Sequence, residues 1–142
     1  MIAATMIMTQ RPAMFLLSLI GFGPLCAQRT FDVTIADSTY HMKQYWFVLY
    51  STGADTTALD STTSAELLKA HLDHQDMQGK RGLIVMGGPY GANDVNWRGL
   101  LLYDCETREE VEGYLRQDPL VKRQRLTYTI APWFGAIGTK LP

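Results

Sequence analysis

At 142 residues the chain has room for one ordinary domain built on one hydrophobic core. With 46% apolar and 19% charged residues it has a globular composition, which excludes a disordered or fibrous chain. A formal charge of −1 leaves no basic excess for nucleic acid, and Lys122-Arg123-Gln124-Arg125 reads as a solvated stretch at a strand start.

Residues 1–28 contain no acid and one arginine, Arg11, followed by the apolar run Ala13–Ile20, then Gly21 to Leu25 and the small pair Cys26-Ala27. That layout predicts a secretory signal peptide cleaved near Gln28 and a secreted or periplasmic protein. The apolar run falls short of the roughly 20 residues that a membrane-spanning helix needs, so no stable membrane span is expected. Cys26 also admits lipid attachment, although Leu25 stands where a lipoprotein signal has a small residue, and a helix packed on the domain is a further alternative. Cleavage would leave a single cysteine, Cys105, which reads as a packed thiol beside Leu100–Tyr103.

Arg29 to Tyr40 shows no sustained period, and residues 29–41 are expected to form a linker. The domain is placed at residues 42–135, with 136–142 as a C-terminal tail. Tyr45–Tyr50 is aromatic and β-branched on both faces, which predicts a strand covered on both sides. Thr63-Ser64-Ala65-Glu66 matches a capping box, so a helix is predicted from about Ser64 to Gln78, with Gly79 as its stop. At about 100° per residue, His71 falls on the inward arc with Leu67, Leu68 and Leu72. A buried imidazole needs a hydrogen-bond partner, and its ordinary pKa near neutrality makes it the first candidate for proton transfer. A satisfied core histidine is the competing explanation.

The remaining elements alternate. Leu83–Met86 reads as a short buried strand that breaks into a loop at Gly87-Gly88-Pro89, and Trp97–Tyr103 as a third strand. A second capping box, Thr107–Glu110, opens a short helix that ends near Asp118-Pro119. Gln124–Ala131 is a fourth strand, with Pro132 ending its ladder. The order is βαββαβ, an α+β ferredoxin-like arrangement with both helices on one sheet face. The other face would be apolar and bare, which predicts a homodimer packed sheet to sheet.

The chain from about Met42 to Trp133 resembles the YCII-related (YciI-like) proteins of the dimeric α+β barrel superfamily. The features that carry the likeness are the hydrophobic first strand, the helical His71-Leu72, the turn Gly79-Lys80, Gly88-Pro89, and Asp118-Pro119 followed by Leu120-Val121. The resemblance implies an active-site dyad of His71 and Asp118 in a cleft, and chemistry on small cyclic or aromatic molecules, commonly without a metal or other cofactor. His71 would be the base and Asp118 its orienter, with amides around Gly87 and Gly88 facing an oxyanion. Gly87, Gly88, Pro89, Tyr90 and Trp97 are the expected substrate contacts. The alternative is a non-catalytic or stress-associated module that holds a small ligand in the same cleft. No metal site is expected, because on the helix Asp73 points about 160° from His71, and His74 lies about 60° away at the edge of the face. A nucleotide site is not expected either, because the glycine-rich stretch leads into a strand instead of a helix.

Overall fold

The computed structural model describes residues 29–139; the signal-peptide assignment lies outside them. The elements are β1 (Thr30–Ile35), β2 (Ser38–Thr52), α1 (Ser61–Lys80), β3 (Ile84–Pro89), β4 (Trp97–Tyr103), α2 (Arg108–Gln117), α3 (Pro119–Lys122) and β5 (Leu126–Ala136). Neighbouring strands are all antiparallel, and from β5 the sheet runs β5-β2-β4-β3. Helix α1 therefore links the parallel strands β2 and β3 across β4, while α2 and α3 link β4 and β5 across β2. This is the ferredoxin-like split βαβ expected from the order of elements.

The pleat sorts β2 into two faces. Val48 and Tyr50 point at the helices and are buried with Leu101, Tyr103, Cys105 and Ile130 of the sheet region and Val111 and Leu115 of α2. Each such buried side chain contributes on the order of 1.5–3 kcal/mol. Phe47 and Leu49, with Leu102 and Leu100 as their partners on β4, lie on the opposite face, away from the helices, where Leu102 is buried and the other three are part-buried. Both expected apolar faces are present.

Four sequence expectations fail, each for a local reason. Residues 29–41 are not a linker, because Thr30–Ile35 pairs with Ser38–Lys43 as a hairpin, turning at Ala36 with φ +52°. The hairpin lies in water on both faces, so no two-residue hydrophobic period marks it. It is held by its ladder, by Phe31 packed edge-on against Phe134 at 5.3 Å, and by Arg29, which bonds Asp104 at 2.7 Å and Glu106 at 2.8 Å. Helix α1 starts earlier than the capping box suggests, because Asp60 accepts from the Thr63 amide at 2.9 Å and caps it first. Asp60 is a better-placed cap than Thr63. The second strand is not a buried strand that breaks at Gly87: it runs to Pro89, Val85 and Met86 are exposed, and the glycines continue the ladder with β4. Strand β5 continues through Pro132 to Ala136, and the Ile137 amide bonds the His41 carbonyl, so the tail begins tied down. Here β5 is an edge strand, where the donor that proline lacks can face away from the ladder.

Candidate active site

Helix α1 faces the sheet with a polar stripe. His71 and Gln78 are its buried residues, whereas Leu68 and Leu72, expected in the inward arc, are half exposed beside an open cavity. The stripe is satisfied: Gln78 Oε1 accepts from the Tyr103 hydroxyl at 2.6 Å, and its Nε2 donates to the His74 carbonyl at 3.0 Å. A helix that docks through polar groups fixes their orientation, because each left unpaired would cost about 1–3 kcal/mol.

His71 meets Asp118. Asp118 is fully buried at the junction where α2 ends and α3 begins, and Pro119, at the first position of α3, has its own φ fixed ready for that turn. Its carboxylate accepts from the Leu120 amide at 2.9 Å, capping α3, and from the Tyr50 hydroxyl at 3.1 Å. His71 Nδ1 lies 2.9 and 2.7 Å from its two oxygens. Burial alone would raise the Asp118 pKa, but the bond and charge of His71, the Leu120 amide and the Tyr50 hydroxyl outweigh it and hold the carboxyl below its ordinary range. Burial and the charge of Asp118 push the Tyr50 phenol far up, so Tyr50 remains a protonated donor.

This arrangement dictates the tautomer of a neutral ring. An ionised carboxylate only accepts, so Nδ1 carries the proton and Nε2 keeps the lone pair. The Gln75 side-chain amide, one helical turn on, lies 2.9 Å from Nε2 and donates to it. The Tyr50 ring stands edge-on to the imidazole, with centroids 5.8 Å apart, and fixes its plane.

The cavity beside this group has a volume of about 610 Å³ and mostly aliphatic walls, including Leu68, Leu72, Leu101, Leu120 and Leu126. Gly87, Gly88 and Pro89 line it, as expected. They do so as part of β3, however, so alternate amides are committed to the β4 ladder and do not form a turn that could gather donors around an oxyanion. At Gly87 the chain passes close to β4, since a Cβ there would lie 2.5 Å from Leu101 Cδ2 and make that side chain shift. Tyr90 and Trp97 are not in the cavity wall; they pack on each other with centroids 5.4 Å apart at the base of the β3–β4 connection. Asn93 closes that connection by accepting from the Trp97 amide and donating to the Gly91 and Trp97 carbonyls. The aromatic wall expected from sequence is thus replaced by leucines.

Three further polar residues belong to this site and were not singled out in the sequence: Tyr50, Gln75 and Arg98. Gln75 had a usable signal, its i+4 spacing from His71. Tyr50 looked like any other strand aromatic. A metal centre is disfavoured by geometry: His74 Nε2 bonds the Tyr114 carbonyl, while Asp73 and Asp76 form ion pairs along the helix with Lys69 and Lys80. Among the described residues no three potential ligands gather. Cys105 is buried, and desolvation followed by the charges of Glu110 and Asp104 raises its thiol to about 11, so it stays protonated at neutral pH.

The model of the YCII-related domain matches residues 45–133, a span that runs from within β2 to within β5 and includes both members of the His71–Asp118 pair. Among solved structures, the chain is similar to 5-chloro-2-hydroxyhydroquinone dehydrochlorinase (TftG) from Burkholderia phenoliruptrix AC1100 in complex with 2,5-dihydroxybenzoquinone. The identity is 20%, the TM-score is 0.45, and the match covers 62% of this chain and 92% of that one. No curated protein matches the chain.

Proposed function

Starting from the fact that the chain belongs to the YCII-related family, we propose that it is an enzyme that moves a proton on a small, ring-shaped molecule, by isomerisation or elimination. The observation that carries this reading is the buried Asp118 carboxylate on His71 Nδ1, which leaves Nε2 as a base beside an apolar cavity. A carboxylate that holds the ring also stabilises the imidazolium formed when Nε2 takes a proton, and a base so placed contributes on the order of 10²–10⁴ in rate. A ligand seated against the apolar walls would displace water and strengthen that electrostatic effect. Gln75 must give up its bond to Nε2 as substrate enters.

The same Gln75 contact favours a second reading, a non-catalytic module that binds a small ligand. An imidazole with both nitrogens satisfied is a finished structural unit. Incubation with cyclic ketones, enols and lactones in D2O, followed by proton NMR, separates the two. The enzyme reading expects loss of a C–H signal or a new isomer with wild type and neither with His71→Asn, whose circular dichroism should show the same fold although its Tm falls with the lost bond to Asp118. Exchange that persists in His71→Asn refutes the assignment of the base.

The protein acts outside the cytoplasm in this proposal, because residues 1–28 have the layout of a signal peptide. It also works as a homodimer. The face carrying Phe47, Leu49, Leu100 and Leu102 is apolar and lies away from the helices, and a second copy of the same sheet matches it in chemistry.

A further inference from the structure

We propose that Arg98 is the anion-recognition residue of the cavity, and hence that the molecule it takes is a small monoanion, an apolar ring body bearing one acidic substituent. Asp76, Arg98 and Asp118 all belong to this region, and their charges are not equally committed. Asp118 is enclosed by His71, Tyr50 and the Leu120 amide. Asp76 lines the cavity but is paired with Lys80 at 2.6 Å. Arg98 also lines the cavity, and among the described residues it faces no acid within ion-pair distance. The charge left over for a ligand is positive.

The guanidinium is aimed as well as unpaired. Its Nε donates to the Thr52 hydroxyl at 2.8 Å, which anchors the planar group to the end of β2. Nη1 and Nη2 have no protein acceptor among the described residues. A planar fork held at one nitrogen, with its remaining N–H groups free, suits a carboxylate or a delocalised oxyanion better than a flexible ammonium would. Beside it, Gly99, which pairs with Pro89 across β3 and β4, puts no side chain into the cavity. That leaves room for an acidic group next to Arg98, with the ring body over Leu101, Leu68 and Leu72.

The inference deepens the proton-transfer reading and rests on it only for what stands at the other end of the ligand: an acid held at Arg98 would present a ring C–H to His71 Nε2. It also favours the abstraction step, since removing that proton builds negative charge, which a cation at the rim can share.

The test uses matched pairs of acid and neutral amide, benzoate with benzamide and cyclohexanecarboxylate with its carboxamide. Each is titrated into the nitrogen-15-labelled protein while the Gly87, Gly88 and Gly99 amide signals are followed. Wild type should bind each acid about tenfold more tightly than its amide, at the lower end of what a charge-assisted hydrogen bond contributes. R98Q should abolish that preference, R98K should restore part of it, and added NaCl should weaken it in wild type. No acid preference in wild type, an undiminished one in R98Q, or acids that leave the three glycine signals unmoved would overturn the proposal. Should R98Q not fold, the wild-type salt series decides, and a preference indifferent to salt counts against Arg98. His71→Asn separates the two readings: an acid preference that survives while proton transfer was never present retires the base and leaves Arg98 standing, and the reverse retires Arg98 alone.

Discussion

Asp118→Asn probes the arrangement most directly, because it changes one atom of a fully buried group and keeps its volume. The oxygen that caps Leu120 can remain an oxygen, so the new NH2 takes the place of the oxygen 2.7 Å from His71 Nδ1 and 3.1 Å from the Tyr50 hydroxyl. The tyrosine can rotate and accept, but at its nearer contact the ring then meets a donor with a donor, and the retained oxygen 2.9 Å from Nδ1 is the acceptor left to it. Either it keeps its tautomer on that longer, neutral bond, or it moves its proton to Nε2, where it can no longer act as a base. The expected loss of stability is about 1–3 kcal/mol at neutral pH, the size of one buried hydrogen bond to a charged group. Because the Asp118 pKa is depressed in the folded protein, the carboxylate's contribution is present in full above the unfolded value of about 3.9 and disappears as pH falls through the lower folded value. Urea unfolding at pH 7 and at pH 3 should therefore show a gap between wild type and variant that narrows sharply in acid. Nitrogen-15 shifts of the imidazole should place the proton on Nδ1 in wild type and on Nε2, or in exchange between the two, in the variant. A gap under about 0.5 kcal/mol at pH 7, within the range of a neutral surface substitution, with an unchanged tautomer would show that Asp118 does not orient His71.

Gln75→Ala should cost only about 0.5–1.5 kcal/mol, the net worth of a neutral hydrogen bond, and should raise the rate of any exchange His71 catalyses by uncovering Nε2; a slower exchange would recast Gln75 as a substrate contact. Phe47→Asp places a charge on the sheet face away from the helices, so light scattering should report a monomer or an aggregate in place of a dimer, and a wild-type protein already monomeric at micromolar concentration would refute the sheet-to-sheet assembly. Protein purified from its native host should begin at or near Arg29 by N-terminal sequencing, whereas an intact Met1 on a cytoplasmic protein would end the export proposal.

The parts of the fold that a sequence can encode as a period or a cap were readable. Tyr45–Tyr50 and Trp97–Tyr103 carry enough apolar side chains to be strands in any context, and Thr107 caps α2 through the Glu110 amide as its motif requires. The β1–β2 hairpin was hidden because its ladder is paid for by the backbone and by contacts to residues about 75 positions away, Asp104 and Glu106, which no local pattern reveals. The site divides in the same way. His71 was legible from its helical phase, and Asp118 came only through the family resemblance, since nothing local marks an aspartate before a proline as buried.

What periodicity misread in α1 is instructive about the site itself. Counting leucines predicts that Leu68 and Leu72 are core, yet they stay half exposed while His71 and Gln78 are buried. A helix that turns its polar stripe inward loses hydrophobic stabilisation, and recovers it only if each polar group finds a partner. Here they do: His71 finds Asp118 and Gln75, and Gln78 finds Tyr103 and the His74 carbonyl. The leucines displaced from the core become walls of the cavity. The departure from the hydrophobic pattern and the presence of the cavity are therefore one structural fact: the polar stripe that weakens the helix as a packing element leaves its leucines free to wall the cavity.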